Sequence, residues 1–422
     1  AQQLVDLFAA GTAVNEDIEL RKDLDFKNTN LVLPLGAKTD DTCVPYTGTF
    51  NGKGHMIKNL VMNNAEASGY AGAGLFCRLQ NAVVKDLVFD SSCSFTAESS
   101  GALSVEATAL LTVSKITNKA AVNGTEIVGG IIGYVYDLSN QSSSQIDSCV
   151  NEGSVKCTGR YTGGIIGLIE NTVADIIILD CTNRGPITAQ DMTGGIVGCI
   201  QDCINTTVTF SNCMNDNDID GTELVGGLVG YVGTCTNTVV TIGGSFNNGN
   251  ILETQYLGGF IGSFDENENV NVTIFNSINN GTVNATQKGY GIANNVTKAR
   301  NVVSMGNVIG SSGSNTFWNA FIDVDYYYGL KGKCSNCNTH VTLFQHNTTT
   351  GFYEVVNTSE HVDDLLNYEA SNQCFHGEWT SELELVYNGR NGCQLFSLAI
   401  CHSHSLLVLF ISFFLHLFLN VF

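Results

Sequence analysis

The stretch DCTNRGPI, from Asp180 to Ile187, contains the residue types of a reactive site. A cysteine directly follows a carboxylate, and threonine, asparagine and arginine occupy the next three positions. A cysteine usually needs an adjacent general base, most often histidine, to act as a nucleophile. No histidine stands near Cys181 in the sequence, so the role of this cysteine has to be judged from where the same pattern recurs.

The stretch is one copy of a repeat with a period of 32 residues. The copies are CVNEGSV, CTNRGPI, CMNDNDI, SFNNGNI and SINNGTV. Their first residues are Cys149, Cys181, Cys213, Ser245 and Ser277. Their shared asparagines are Asn151, Asn183, Asn215, Asn247 and Asn279. Because serine replaces cysteine in later copies, we interpret the first position as a small inward-facing residue, and we interpret the asparagines as a ladder of side-chain amides.

A second motif precedes each copy by about twenty residues. It reads GGIIG at Gly129, GGIIG at Gly163, GGIVG at Gly194, GGLVG at Gly226 and GGFIG at Gly258. Between the motifs lie short β-rich runs with turn-forming residues and no helical period. One such repeat is too small to bury its own apolar face, whereas stacked copies form a continuous core. The pattern predicts an all-β protein, a parallel β-helix (solenoid) with about three short strands in each coil of about 32 residues.

The repeated GG-[IL]-[IV]-G resembles the GLUG motif of bacterial and protist surface proteins, which also occurs beside the catalytic part of some secreted proteases. The segment YTGTFNGKGHMIKNLVM, from Tyr46 to Met62, is similar to the segment that precedes such repeats. The resemblance implies a right-handed parallel β-helix in a secreted or surface-attached protein. It supplies no catalytic residues.

The same resemblance suggests how the chain is divided. LVDLFAAGTAVNEDIELRKDLDF resembles a helix and strand that cap one end, and HVDDLLNYEASN and SELELVYNGR more loosely resemble a small cap at the other end. We expect an N-terminal cap and first coil at 1–64, the β-helix repeats at 65–312 and a cysteine-containing cap segment at 313–393. A hydrophobic tail at 394–422 completes the chain.

Composition limits the partners and the compartment. The chain has 422 residues, with 19 Lys and Arg against 40 Asp and Glu, for a net charge of −21. A nucleic-acid partner is excluded because phosphates require clustered cations. Fifteen cysteines are more than a reducing compartment usually leaves unpaired. The first residue is Ala rather than Met, as expected after removal of a secretory signal. We therefore expect an extracellular or cell-surface location, reached by the secretory pathway.

Several cysteines are candidates for disulfides. Cys203 and Cys235 each stand nine residues after their own GG motif, which predicts a bridge between neighbouring coils. The CSNC sequence is followed by two histidines, His340 and His346, but an oxidising compartment favours a bridge over zinc there. The six disulfide candidates are Cys203, Cys235, Cys334, Cys337, Cys374 and Cys393.

One acidic segment resembles half of a calcium site. NDNDIDGTE places Asp216, Asp218 and Asp220 at alternate positions. A complete loop needs a bidentate Glu at its twelfth position, which here is Gly227. We interpret the segment as a polar turn, with a weak Ca²⁺ site as the alternative. No other cofactor is expected.

Glycosylation and membrane attachment are both suggested by local sequence. The nine N-glycosylation sequons are at Asn123, Asn140, Asn205, Asn271, Asn280, Asn284, Asn295, Asn347 and Asn357. Eighteen almost wholly apolar residues from Ser405 onward would span about 27 Å as a helix, just short of a bilayer. They are typical of a removable signal for a GPI anchor, with Asn391 as the candidate attachment residue. The alternative is a segment buried in a neighbouring subunit.

These features favour a non-catalytic extracellular or cell-surface glycoprotein with a structural or adhesive role, either anchored or self-assembling into a coat or filament. Its partners would be other copies of itself or surface glycans and proteins. The alternatives are a polysaccharide lyase or hydrolase and a glycan-binding module. Asp323 and Asp325 would share a face in a strand, but a third catalytic partner is missing from the sequence pattern. Exposed aromatic residues along one face would indicate glycan binding, and a compact acidic cleft would indicate an enzyme.

Overall fold

The computed structural model describes residues 1–9, 14–29, 31–38, 40, 42–64, 71–138, 143–264, 270–293, 296, 298–304, 308–310, 315–317, 319–322, 334–335, 342–347 and 352–356. Over these residues the chain forms a parallel β-solenoid of about eight turns of roughly 32 residues, with almost no helix. The predicted all-β parallel β-helix is therefore confirmed. Among the described residues, no helix is long and apolar enough to cross a bilayer.

The described elements begin with one short helix and continue as strands. The N-terminal elements are α1 Gln2–Phe8, β1 Ile18–Glu19, β2 Leu24–Asp25, β3 Thr49–Lys58, β4 Val61–Asn63 and β5 Gly72–Ala73. The next strands are β6 Phe76–Phe89, β7 Ser94–Gly101, β8 Ser104–Asn118, β9 Ala121–Gly129, β10 Ile132–Tyr136, β11 Ser144–Asp147, β12 Val150–Asn151, β13 Val155–Cys157, β14 Tyr161–Gly163, β15 Ile166–Glu170, β16 Ile176–Leu179, β17 Thr182–Asn183 and β18 Ile187–Thr188.

The later coils repeat the same order of short strands. They are β19 Thr193–Gly194, β20 Val197–Gln201, β21 Thr207–Ser211, β22 Met214–Asn215, β23 Ile219–Asp220, β24 Val225–Gly226, β25 Val229–Gly233, β26 Val239–Gly243, β27 Phe246–Asn247, β28 Ile251–Gly258, β29 Ile261–Phe264, β30 Asn271–Asn279 and β31 Val283–Tyr290. The last are β32 Lys298–Ser304, β33 Val308–Gly310, β34 Asn315–Phe317, β35 Asn319–Ile322, β36 Cys334–Ser335, β37 Thr342–Asn347 and β38 Phe352–Val356.

Within the repeats, strands pair in parallel with their counterparts one coil away, so equivalent residues lie in rows along the axis. The later pairs β32–β35 and β37–β38 are antiparallel. One such row runs from Ile132 through Ile166, Val197 and Val229 to Ile261. All five side chains are fully buried in a single apolar core. In-register stacking places the same chemical character at each level, and the core therefore extends along the whole repeat.

The coils are divided more finely than the three strands predicted. The coil that begins at Tyr161 contains five strands, β14 to β18. The chain changes direction there at single residues with a left-handed backbone, Asn171 and Asp180, whose φ angles are 50° and 51°. Short runs of apolar residues predict strands, but they do not show where a single turn residue separates two of them.

The corner at Asp180 is built in the same way in seven coils. Its residues have φ angles between 48° and 60°, and they are Asp86, Lys115, Ser148, Asp180, Asn212, Gly244 and Asn276. Glycine and short polar side chains tolerate this conformation best. The aspartate beside Cys181 thus occupies a position defined by backbone geometry, which accounts for its presence without a catalytic role.

The GG motif and the asparagine motif pack against each other. A Cβ atom at Gly164 would lie 2.2 Å from the carbonyl oxygen of Gly195 and 2.6 Å from the Cγ of Asn183. Non-bonded atoms do not approach so closely, and only glycine fits. The two motifs therefore belong to one buried unit, although 19 residues separate Gly164 from Asn183 in the sequence.

A short helix lies at the N-terminal end of the solenoid, where the sequence predicts a cap. Its residues Leu4 and Phe8 are buried. The Phe8 ring centroid lies 5.9 Å from those of Tyr46 and Phe76. This contact covers the apolar end of the stack. Strands of the 313–393 segment are described in part, whereas the 394–422 tail lies outside the described residues.

Candidate functional site

The asparagines of the repeat form a continuous column of hydrogen bonds inside the solenoid. The Nδ2 atom of Asn183 donates to Oδ1 of Asn215 at 2.9 Å and to the carbonyl of Gly185 at 2.9 Å. The same amide-to-amide bond, 2.8 to 2.9 Å long, joins each neighbouring pair from Asn118 to Asn279. Asn118 extends the ladder by one coil that the sequence analysis missed, because its copy has Ile116 in place of cysteine or serine and lies 33 rather than 32 residues before the next. We call these six residues the Asn ladder.

The residues two positions before the ladder form a second buried column. We call it the Cys/Ser column, and its members are Cys149, Cys181, Cys213, Ser245 and Ser277. The Cys181 thiol donates to the carbonyl of Leu179 at 3.3 Å, and the Ser245 hydroxyl makes the equivalent bond at 2.9 Å. Burial raises the pKa of Cys181 and raises that of Cys213 to about 12. These thiols stay protonated at neutral pH and are poor nucleophiles.

The predicted bridge between Cys203 and Cys235 is absent from the structure, where both are buried free thiols. The Cys203 thiol donates to Gln201 O at 3.3 Å, and the Cys235 thiol donates to Gly233 O at 3.2 Å. Side chains in register on a parallel sheet point in the same direction rather than toward each other, which opposes a disulfide between them.

The disulfide that does form was not predicted. Cys43 and Cys77 are bonded, with Cα atoms 5.9 Å apart. Cys77 belongs to a small apolar cluster outside the main core, together with Val105 and the covering residues Leu33 and Ala37. The two cysteines are brought together through residues 35 and 36. Cys77 N donates to Leu35 O, and Val44 N donates to Gly36 O, both at 2.9 Å. Their separation of 34 residues, close to one coil, was the available signal.

The structure does not describe the side chains of the remaining cysteine candidates. Cys334 begins β36, and only its backbone is described. Cys337, Cys374 and Cys393 lie outside the described residues, as does the candidate lipid-attachment residue Asn391. Disulfides at these cysteines and an anchor at Asn391 stay predictions.

The three aspartates of the calcium candidate are separated rather than convergent. Asp216 accepts a hydrogen bond from Asn248 at 2.8 Å, and Asp218 accepts one from Asn250 at 2.9 Å. Asp220 is exposed at the end of β23. Within the described part of the chain, no group of three or more His, Cys, Asp or Glu side chains is arranged to hold a metal ion. The geometry matches the polar-turn interpretation.

Arg184 belongs to a row of alternating charges on the outer surface. Its guanidinium lies 3.5 Å from Glu152 Oε1 on one side and 3.8 Å from Asp216 Oδ2 on the other. Glu152 also lies 3.6 Å from the Lys119 ammonium, one coil further away. Opposite charges on neighbouring coils therefore match, which explains why arginine is found in this copy of the repeat and not in the others.

The sequons differ in exposure. Asn205 and Asn271 are exposed and can accept a glycan without rearrangement. Asn123 donates to Thr96 Oγ1 at 3.2 Å, and Asn280 donates to Asn248 Oδ1 at 2.8 Å. Asn284 is half-buried. The side chains of the other four, Asn140, Asn295, Asn347 and Asn357, are not described.

An aromatic and charged cluster lies on the outer face of the strands that follow the GG motifs. Parallel pairing puts Arg78, Glu106 and Tyr134 in one row along the axis. The neighbouring row, two residues further along each strand, includes Tyr136, Glu170 and Gln201. Positions two apart in a strand share a face. We call these six residues the tyrosine patch.

Each carboxylate of the patch is held by donors from other coils. The Nε and Nη2 atoms of Arg78 donate to Glu106 Oε2 at 2.8 and 2.7 Å, and the Tyr136 hydroxyl donates to the same oxygen at 3.1 Å. Glu170 accepts from the Tyr134 hydroxyl and from the Gln201 amide. The network spans five coils and fixes the side chains relative to one another.

The two tyrosines stack and remain neutral. Their ring centroids are 4.4 Å apart, with 20° between the ring planes, and the Arg78 guanidinium lies 5.9 Å from the Tyr136 centroid. Burial and the charge of Glu106 raise the pKa of Tyr136 to about 12. Burial and the hydrogen bond to Glu170 also raise the pKa of Tyr134. At neutral pH both hydroxyls are hydrogen-bond donors rather than nucleophiles.

The sequence analysis did not find the tyrosine patch. Its residues are 28 to 36 positions apart where they bond, and none of them recurs in the repeat. The available signal was the outward position three residues after each GGxxG motif, which changes from Tyr136 to Glu170, Gln201 and Gly233 in successive coils.

Comparison with known proteins adds limited information. No family model matches the chain, and the resemblance to GLUG repeats stays a prediction. A stretch of 161 residues is 28% identical to halomucin from Haloquadratum walsbyi; it covers 33% of this chain and 2% of halomucin. The chain thus spans a very small part of that relative. Among solved structures, a candidate immunoglobulin A1 protease from Bacteroides ovatus is similar with a TM-score of 0.37 and 17% identity, over 69% of this chain and 78% of that one.

Proposed function

We propose that this chain is a non-catalytic extracellular glycoprotein in which the β-solenoid is a rigid spacer and the tyrosine patch is an adhesive face. The observation that carries the proposal is the network of the patch, in which protein donors already hold both carboxylates. A hydrolytic pair would need one carboxyl free to donate a proton and another free to activate water or attack. Glu106 and Glu170 each already accept hydrogen bonds from protein donors.

The other groups with reactive potential support the same proposal. The free thiols of the described residues are buried, and Tyr134 and Tyr136 are held protonated. A catalytic nucleophile must be activated by an adjacent base or by a lowered pKa. The Cys181 and Cys213 thiols and the hydroxyls of Tyr134 and Tyr136 have the opposite environment, because burial raises the pKa of each. A polysaccharide lyase or hydrolase is accordingly the weaker of the two candidate functions.

Exposed sequons and the disulfide support a location outside the cell. Asn205 and Asn271 are accessible for glycosylation. The Cys43–Cys77 bond is of a kind that persists in oxidising compartments. The local similarity to halomucin also favours a location outside the cell, because that name describes a mucin. Attachment through a GPI anchor at Asn391, or assembly through the 394–422 tail, is part of the proposal.

The test uses the full chain expressed through a eukaryotic secretory pathway. We expect glycopeptides at Asn205 and Asn271 by mass spectrometry, and no release of reducing or unsaturated ends from a panel of neutral and acidic polysaccharides. The matched control is the Glu106→Gln/Glu170→Gln double variant, assayed in parallel. Turnover by the parent chain that disappears in this variant would overturn the non-catalytic assignment.

A further inference from the structure

The strands of the tyrosine patch share one outer face of the solenoid. The rows of the patch extend along the axis from β6 to β20, with one coil every 4.8 Å or so. The five coils involved therefore cover about 19 Å between the first and the last strand. A ligand that contacts the whole patch must be elongated and must lie parallel to the solenoid axis.

The patch combines a stacking surface with polar groups of both kinds. Tyr134 and Tyr136 are half-buried, and each keeps part of its ring accessible beside a fixed hydroxyl. Such side chains offer an apolar face and a polar edge at a small cost in conformational entropy. A pyranose ring has the matching character, with an apolar C–H face and hydroxyls around its rim.

The carboxylates have acceptor capacity beyond the bonds they already make. An ionised carboxylate has about four lone-pair sites. Glu106 uses one oxygen for Arg78 and Tyr136, and Glu170 accepts one bond at each oxygen. Sugar hydroxyls can donate to the remaining sites. Because the side chains are held in advance by the network, binding would cost little further ordering.

Electrostatics exclude an acidic ligand. The only cation of the patch, Arg78, is paired with Glu106, while Glu170 adds a negative charge. The chain as a whole has a net charge of −21. A uronate or a sulfated glycan would therefore be repelled, both at the patch and during its approach. The ligand chemistry that remains is neutral and rich in hydroxyls.

The face is also clear of the chain's own described sequons. Asn123 lies on β9, Asn271 on β30 and Asn284 on β31, away from the strands of the patch. Asn205 lies in the connection after β20, and Asn280 directly follows β30. None of these five positions belongs to the six residues of the patch, and Asn205, four residues after Gln201, is the nearest to it in sequence.

We propose that the tyrosine patch binds a neutral linear polysaccharide along the solenoid axis, with successive sugars on successive coils. This inference rests on the proposed adhesive function and gives that function a ligand class. The length of a pyranose unit is close to the rise of one coil, about 4.8 Å. Successive sugars of a regular glycan can therefore align with successive coils.

The probes are neutral linear hexasaccharides, one each of β-1,4-glucan, β-1,4-mannan and α-1,4-glucan, titrated into the full chain by calorimetry. We expect at least one to bind, and we expect the Tyr136→Ala variant to lose at least tenfold in affinity. Tyr161→Ala is the matched control, since Tyr161 is a half-buried tyrosine on β14 in the other sheet. Glu170→Gln, which keeps an acceptor for Tyr134, should lose severalfold in affinity. This variant tests the carboxylate by itself, because both tyrosine rings stay in place.

The inference is overturned if none of the hexasaccharides binds, or if Tyr136→Ala and Tyr161→Ala bind equally well while both remain folded by circular dichroism. Tighter binding of heparin, polygalacturonate or oligolysine than of any neutral glycan would also overturn it. If adhesion of the full chain to cells persists without glycan binding, the ligand class is wrong and the adhesive function stands. Turnover of a bound glycan would contradict the non-catalytic function and leave the binding site in place.

Discussion

The interior and the outer face of the solenoid follow opposite rules. Inside, the Asn ladder and the Cys/Ser column place equivalent groups at each level, and their hydrogen bonds vary by only a tenth of an ångström along the ladder. Outside, the row that contains Tyr136 changes residue at every coil. Inside the solenoid, equivalent side chains pack against one another, so the residue type must repeat from coil to coil. On the outer face the side chains contact solvent, and the residue type can vary.

This contrast shows where specific function can reside in a repeat protein. A residue that recurs at every coil, such as Asn183, is explained by the stack. A residue that occurs once, such as Arg184 or Tyr134, needs a separate reason. For Arg184 that reason is a pair of opposite charges on the adjoining coils. For Tyr134 we propose ligand binding.

The largest expected effect is at the contact between the two interior motifs. Gly164→Ala would place a Cβ 2.2 Å from Gly195 O, and the backbone of two coils would have to move. We expect a loss of about 3 kcal/mol in the free energy of unfolding, at the upper end of the range for overpacking. Chemical denaturation measures it. Thr188→Ala, at an exposed position, is the control and should change stability little; an equal loss in both would contradict the packing argument.

Asn215→Ala should have the next largest effect. It removes the donor to Asn247 Oδ1 at 2.8 Å and the acceptor for Asn183, so two buried amides lose a partner. Unsatisfied buried polar groups cost about 1 to 3 kcal/mol each. Each of the two amides keeps other hydrogen bonds, so we take the lower part of that range and expect a total loss of about 2 to 3 kcal/mol. The surface variant Asn250→Ala is the comparison, with a loss below about 1 kcal/mol. If the two variants melt alike, the ladder does not stabilise the interior.

The stability contributed by the ion pairs of Arg184 should depend on the charge of the side chain at position 184 and on the salt concentration. Arg184→Ala removes two exposed ion pairs and should cost less than about 1 kcal/mol. Arg184→Glu places three acidic side chains on successive coils and should cost about 1 kcal/mol more. Thermal unfolding at low salt and at 1 M NaCl measures the difference, which should shrink as salt screens the charges. A difference unaffected by salt would point to packing of the arginine side chain.

Cys213→Ser should be nearly neutral, because serine already makes the same contact in the next coil. The hydroxyl would donate to Ser211 O in place of the thiol, as that of Ser245 does to Gly243 O. We expect a change below about 1 kcal/mol. Cys213→Ala, which loses the donor and adds no volume, should be the less stable of the two. The denaturation midpoints of both variants test whether this column requires a donor or only a small residue.

The smallest effect is a dependence on pH at Asp191. Burial and the nearby charge of Glu223 raise the pKa of this carboxyl above its ordinary value of 3.8. Its contribution to stability is therefore present below that pH and lost as pH rises through the raised pKa. Asp191→Asn can still accept the Met192 N–H, and it should raise the melting temperature at pH 7 but not at pH 3. A rise at both values would rule out the charge as the cause.

The sequence predicts more of the fold than of the side-chain contacts within it. The interval of 32 residues determined the parallel solenoid, since only stacked coils can align Asn151, Asn183 and Asn215 without slippage. The interval did not identify the disulfide. Cys203 and Cys235 have the right spacing but are free thiols, whereas Cys43 and Cys77 are bonded, with their Cα atoms 5.9 Å apart. Spacing specifies which coil a residue occupies, and side-chain direction depends on the local backbone.

The sequence by itself thus determined the repeat, the ladder residues and the identity of the buried small positions, because these depend on a periodic pattern that any copy reveals. Only the tertiary structure decided that Arg78, Glu106, Tyr134, Tyr136, Glu170 and Gln201 form one network. Their bonds join residues about one coil apart that share no recurring motif, and the solenoid brings them together by stacking one coil on the next.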